Sequence, residues 1–175
     1  MRLGTFAMII VVVLAGGYQV RSNEPGQPKP APSNQPTLEV VNESGKSFTF
    51  TAADLAKLPQ KGLEARDHNG DPAKYAGVLL ASVLKQADVA LGAPLKGKLL
   101  ASYLVVEASD KYRVVFSLPE IDPDWTDNIV LLAMSRNGQG LDEKHGPLQL
   151  VVPGDKRHSR WVKQVARLTV QSDSK

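Results

Sequence analysis

Five prolines between Ser22 and Pro36 decide where this chain can begin to fold. The segment reads SNEPGQPKPAPSNQP, with Pro25, Pro28, Pro30, Pro32 and Pro36 and almost nothing apolar. Each proline fixes φ and removes an amide donor, and it pushes the residue before it out of the helical region. A stretch of this kind is an extended, solvated tether with no core to join. Folding is therefore expected to begin at Thr37.

Upstream of the tether, Met1-Arg2 is a short positive region and Thr5–Leu14 (TFAMIIVVVL) is apolar. Ala15 and Gly17 fit the −3 and −1 positions of a signal-peptidase site, which makes Tyr18 the first mature residue. The apolar run falls short of the roughly 20 residues that span a bilayer. A signal peptide over 1–17 is the expectation. The alternative is an uncleaved anchor, which would then be the one membrane contact. The expected plan is an exported protein, periplasmic or secreted. It has a Pro-rich linker over 18–36, a folded domain over 37–171 and a polar tail over 172–175.

With 175 residues, of which 42% are hydrophobic and 22% charged, the chain has room for one domain plus extensions. It contains no cysteine. That excludes disulfides, zinc–thiolate sites, iron–sulfur clusters and a Cys nucleophile. The pI near 9.1 suggests an anionic partner at first sight. Three of the 21 basic residues (Arg2, Arg21, Lys29) and one of the 18 acidic ones (Glu24) precede Thr37. The remaining 18 against 17 leave a near-neutral domain, which is a poor nucleic-acid binder.

From Thr37 the pattern is dense and mostly strand-like. TLEVV (37–41) and SFTFT (47–51) flank a turn and predict a hairpin with Phe48 and Phe50 on one face. Thr51 and Asp54 fit a capping box for a short helix, AADLAKL, that stops at Pro59. GLEAR (62–66) reads as a strand, followed by strong turn chemistry over Asp67–Pro72. Val78–Ala87 has apolar residues at helical spacing. Leu99–Ala108 and Tyr112–Leu118 predict a second hairpin around Ser109-Asp110-Lys111. Ile129–Ser135, Leu148–Val152 and Val165–Val170 complete the strands, with a basic, helical turn over Asp155–Gln164. Strands with two short helices point to an α+β domain.

The common catalytic signatures G-x-S-x-G, H-E-x-x-H, G-x-G-x-x-G and the P-loop are missing. Asp142, Glu143 and His145 lie close together beside Gly140 and Gly146, and read as a polar loop rather than a metal site. His68 sits in turn-rich sequence, as a surface histidine does. Lys156, Arg157, His158, Arg160, Lys163 and Arg167 fall within twelve residues after Pro153-Gly154. Two readings stay open for this cluster: a phosphate cradle of Arg forks and a Lys point charge, or a solvated face balanced by acids such as Asp155.

Five segments in order resemble the oxidoreductase molybdopterin-binding domain family, with its sulfite-oxidase-like fold. They are FTFTAADLAKLP, YAGVLLASVLKQADV, ASDKYRVVFSLPE, IVLLAMSRNGQGLDEKHGPLQLVVPG and RWVKQVARLTV. The resemblance implies a mixed, mostly β, α+β domain with a few short helices. It also implies a molybdopterin phosphate held by the R-x-V-K segment. That places Arg160 and Lys163 at the cofactor, with Arg157 and His158 beside them. The family's Asp-Gly-Tyr turn near the reacting centre corresponds to Asp110-Lys111-Tyr112, so Asp110 and Tyr112 are the catalytic candidates and the Gly is replaced. Catalytic members hold molybdenum through the pterin dithiolene and one Cys thiolate on the segment before Y-x-G-V. The matching stretch Gly62–Tyr75 offers Glu64, Asp67, His68 and Asp71 but no sulfur. Carboxylate or imidazole does not stand in for soft thiolate without a large change in metal affinity, so Asp67 and His68 are weak metal candidates.

Two functions follow. One is an exported molybdopterin-dependent oxidoreductase-like protein with an electron-transfer partner. The other is a non-enzymatic exported binding module for a pterin or another phosphate-bearing small ligand, in which the fold is kept and the metal ligand lost.

Overall fold

The computed structural model describes residues 36–172. The signal or anchor at 1–17, the Pro-rich linker up to Gln35 and the tail beyond Ser172 lie outside the described residues. The chain opens with β1 (Pro36–Val41) and β2 (Ser47–Thr51), the expected hairpin, and continues into α1 (Ala52–Lys57). The capping box at α1 is present at both ends: Thr51 Oγ1 accepts from the Asp54 amide at 3.1 Å, and Asp54 Oδ2 accepts from the Thr51 amide at 3.1 Å. Next come β3 (Gln60–Arg66), β4 (Pro72–Leu79) and α2 (Leu80–Gln86), then the second hairpin, β5 (Tyr103–Ala108) and β6 (Arg113–Ser117). Strands β7 (Leu131–Arg136), β8 (Gln139–Gly140), β9 (Gln149–Val151) and β10 (Val165–Gln171) finish the domain.

Two sheets result. The first has the order β2-β1-β10-β5-β6, antiparallel except where β1 runs parallel to β10. The second runs β3-β4-β7-β8, with β9 also paired to β7. One hydrophobic cluster joins both sheets and the helices. It includes Leu38, Val40 and Phe50 from the first sheet, Val78 and Leu132 from the second, and Leu55, Val83 and Leu84 from the helices. The fold is the mixed, mostly β arrangement expected.

The structure corrects four local expectations. The helix expected over Val78–Ala87 starts only at Leu80, because Val78 and Leu79 are paired with Leu132 and Leu131 in β7. Leu99–Ala101, read as strand, is the end of a 3-10 turn (Gly97–Ala101). The basic turn contains one short 3-10 segment, His158–Arg160. Strand β4 was not foreseen at all. It alternates buried Ala73, Tyr75 and Gly77 with exposed neighbours, but two of those three inward residues are small and carry little period-2 signal.

Gly77 sits where the backbones of β4 and β7 approach closely. A Cβ there would lie 2.1 Å from the Leu132 carbonyl oxygen, so only glycine lets the two backbones meet. Beside it the β4–β7 register slips, with Ala76 opposite Ser135 and Gly77 opposite Ala133.

Candidate functional site

That slip builds one wall of a cavity beside β4 and β7. Tyr75 and Gly77 are two apart on β4 and so share a face; their partners on β7 are Arg136 and Ala133. In a regular strand, residues three apart point to opposite faces. The extra residue in β7 returns Arg136 to the face of Ala133, and Gln149 of β9 pairs with Ala133. Tyr75, Arg136 and Gln149 therefore meet in a cavity of about 420 Å³.

The opposite wall is the segment Trp161–Lys163, held against the β9 stretch. The Leu150 amide donates to Val162 O at 2.8 Å, and the Val165 amide to Leu148 O at 2.9 Å. Gln164 fastens three loops at once. Its amide donates to His145 O, its Nε2 to Glu143 O at 2.6 Å, and its carbonyl and Oε1 accept from the Ser109 amide and hydroxyl. These bonds hold Gln164 at φ +49°, a left-handed backbone that a non-glycine residue adopts only when its surroundings over-determine it.

Tyr75, Trp161, Gln149, Val162 and Asp67 form a buried floor, whereas His68, Asp110, Tyr112, Lys144 and Ser159 are exposed at the rim. On the floor, Asp67 is ion-paired with Arg136. Its Oδ1 also accepts from the amides of Asn69 at 2.9 Å and Asp71 at 3.0 Å. Burial works against the charge of Asp67, but the two amides and the guanidinium outweigh it and hold its pKa below the ordinary value. Burial pushes the Tyr75 hydroxyl up, opposed by Arg136 and assisted by Asp67. Trp161 donates from Nε1 to Val152 O at 2.9 Å and meets Tyr75 and His158 edge to face, at 5.8 and 4.2 Å between ring centres. His158 Nε2 lies 3.1 Å from Arg66 O. A carbonyl can only accept, so that nitrogen carries a proton. All three histidines of the chain, His68, His145 and His158, line this one cavity.

The residues expected at a cofactor divide. Lys163 and His158 line the cavity, and Lys163 makes no ion pair among the described residues. Arg160 does not join them. Its Nε and Nη2 donate to Asp155 at 2.9 and 2.6 Å, and its Nη1 to Glu120 at 2.7 Å. Its guanidinium lies 4.4 Å over the Phe116 ring. The pairing of Arg160 with Lys163 on one phosphate is thus not found; the Arg fork is occupied by two carboxylates in a separate recess. Arg157 is exposed and lines neither.

Asp110 and Tyr112 are at the rim, where Asp110 Oδ1 accepts from the Tyr112 amide at 2.9 Å and the Tyr112 hydroxyl donates to Ser159 O at 2.7 Å. Between them Lys111 has φ +74°. Asp67 and His68 share the cavity, but the oxygens of Asp67 are already taken by Arg136 and two amides. Among the described residues no group of three His, Asp or Glu side chains is placed to hold a metal. The polar-loop reading of Asp142–His145 needs an addition: Asp142 Oδ1 lies 2.6 Å from His145 Nδ1, and that bond lowers the Asp142 pKa. Sequence reasoning missed Arg136, Lys144 and Gln149. The available signal was Gln149 alone, an amide inside the apolar run LQLVV.

Comparison with known proteins is consistent with this architecture. Among solved structures, the sulfane dehydrogenase SoxCD from Paracoccus pantotrophus is similar with a TM-score of 0.58 and 24% identity, over 79% of this chain. The match spans 39% of that solved chain, so the likeness is one of fold. No curated protein matches the chain. The family model for the oxidoreductase molybdopterin binding domain matches residues 27–175, covering both sheets and the cavity between them. The chain belongs to the oxidoreductase molybdopterin-binding domain family.

Proposed function

We propose that this protein is an exported binding module of its family, which holds a small phosphate-bearing ligand in the 420 Å³ cavity and performs no thiolate-ligated molybdenum chemistry. The observation that carries the reading is the rim itself. Lys144 and Lys163 stand there without ion pairs among the described residues, beside His68 and His158. Unpaired ammonium groups at an open cavity attract anions.

This donor set suits one half of the family's cofactor and not the other. Its phosphate finds cations in Lys144 and Lys163. Its metal finds no sulfur, because the chain has no cysteine, and the one carboxylate on the floor is committed to Arg136. The residues therefore do not fit a molybdenum centre of the Cys-ligated kind. A binding role also needs no electron-transfer partner.

Two measurements test the proposal. Inorganic pyrophosphate is expected to raise the melting temperature of the wild-type protein, and Lys144→Ala with Lys163→Ala to remove most of that shift without unfolding the domain. An unchanged shift in the double variant would sink the reading. Protein purified from a molybdenum-replete host is expected to carry less than about a tenth of a metal ion per chain, since the chain offers the metal no thiolate of its own; stoichiometric molybdenum would reinstate the oxidoreductase. Export is tested by N-terminal sequencing of protein from the cell envelope. Tyr18 at the terminus supports it, and retention of Met1 in the cytosol refutes it.

A further inference from the structure

The outer face of the first sheet carries two rows of side chains that the core does not use. Residues directly opposite one another on neighbouring strands share a face, so the registers define the rows. Across β1, β10, β5 and β6 the first row is Val41, Thr169, Val105 and Val115. Two residues away on each strand, the second row is Glu39, Arg167, Glu107 and Arg113. All four members of the first row are β-branched; the second alternates in sign from strand to strand. Both rows reach solvent: Val115 is 52% exposed, and Arg113 and Arg167 are exposed as well. None of these residues lines the 420 Å³ cavity.

Local pairing leaves part of this charge unused. Arg167 binds Glu39 through Nε and Nη2, and Glu107 takes Lys111. Arg113 makes no ion pair among the described residues. The order of the signs selects a partner. A two-fold axis running along the strands, through the middle of the rows, lays each row on its own copy in reverse order. Glu39 then meets Arg113 of the other copy and Arg167 meets Glu107, each contact being made twice. The apolar row is laid on itself in the same way, Val41 against Val115 and Thr169 against Val105. A row of one sign, or an alternating row of odd length, would meet like charges under this operation; four alternating charges meet only opposite ones. We propose that this face joins two copies of the chain in an isologous dimer, the two sheets packed face to face with their strands aligned. The β-branched row supplies the burial, and the charged row fixes the register and orientation. Four strands at a spacing of about 4.8 Å make a contact small beside the roughly 800 Å² per partner of a standard interface, so the dimer is concentration-dependent.

Sedimentation velocity on the full chain tests this, with thermal unfolding to show that each variant is folded. The wild type is expected to be monomeric at about 1 μM and dimeric at about 200 μM, as suits a small interface. Arg113→Glu and Glu39→Arg each set like charges against one another twice, and each is expected to weaken the dimer at least tenfold. An equimolar mixture of the two variants is expected to recover wild-type association to within about fivefold, because each then offers the other the opposite charge. Val115→Ser is expected to weaken the dimer at least tenfold through lost burial. A wild type that stays monomeric at about 200 μM overturns the proposal, and so does a mixture that associates no better than its components. A dimer indifferent to Glu39→Arg overturns it too, since copies joined edge to edge along β6 would not bring β1 into contact. If a charge variant fails to fold, Val115→Ser decides: tenfold weakening supports the face-to-face dimer, and unchanged association refutes it.

Discussion

Lys111 occupies a left-handed position, φ +74°, in the tight turn between β5 and β6. A Cβ is disfavoured there, and the partner of its ammonium, Glu107, adds little because the lysine is mostly exposed. Lys111→Gly is expected to stabilise the domain by about 0.5–1 kcal/mol in urea denaturation, because strain relief exceeds the extra chain entropy; a loss of stability would contradict this account. Arg160 supports an opposite expectation. It neutralises Asp155 and Glu120 across 40 residues of chain, and both remain in place when it is removed. Arg160→Ala should cost about 2 kcal/mol yet leave pyrophosphate binding within twofold of wild type. A large loss of binding with intact stability would return Arg160 to the ligand site. The sequence could show that basic residues cluster after Pro153-Gly154. It could not show which of them meet carboxylates, since Glu120 lies on a distant turn.

The elements best anticipated from sequence were those with local chemistry of their own. The capping box at α1 depends on Thr51 and Asp54, three residues apart, and the β1–β2 and β5–β6 hairpins on their turns. Hydrogen bonds from Thr51 and Lys57 lower the Asp54 pKa from 3.8 to about 2. A depressed carboxyl stabilises above its unfolded value, and that contribution disappears as pH falls through the folded one. The Asp54 carboxyl followed by NMR should therefore titrate near pH 2, and Thr51→Ala should move it up toward 3.8; a midpoint near 3.8 in the wild type would deny the cap its role. Less legible was β4, whose inward residues Ala73 and Gly77 are small, the glycine for a non-local reason. Gly77→Ala drives a Cβ into the Leu132 carbonyl and should destabilise by more than about 3 kcal/mol in denaturant titration. A well-folded, equally stable variant would mean the sheet can open there.

At the scale of the whole molecule, the cavity owes its existence to long-range pairings. Gln149, Arg136 and Trp161 come from three separate stretches, and a register slip between two strands decides which of them face one another. No single segment carries that information, which is why the fold class was readable in the sequence and the floor of the site was not. Because both sheets contribute walls, ligand and fold are coupled: a ligand at a hundredfold its Kd should raise domain stability by about 2.7 kcal/mol. A cavity that fills without shifting the unfolding transition would show that its walls move independently.

The parallel pairing of β1 with β10 has a consequence for synthesis. Glu39 lies opposite Arg167, and their side chains are bonded at 2.6 Å. Among the described residues the first strand thus waits for the last, and β5 cannot find its inner neighbour until then either. A chain of this kind keeps one sheet open until β10 has been made, so β1 and β5 are joined within that sheet only when β10 arrives between them. Termination at Gln164 would remove β10 and leave a strand on either side without its partner; such a fragment is expected to show no cooperative thermal transition, and a sharp one would disprove this dependence on the final strand.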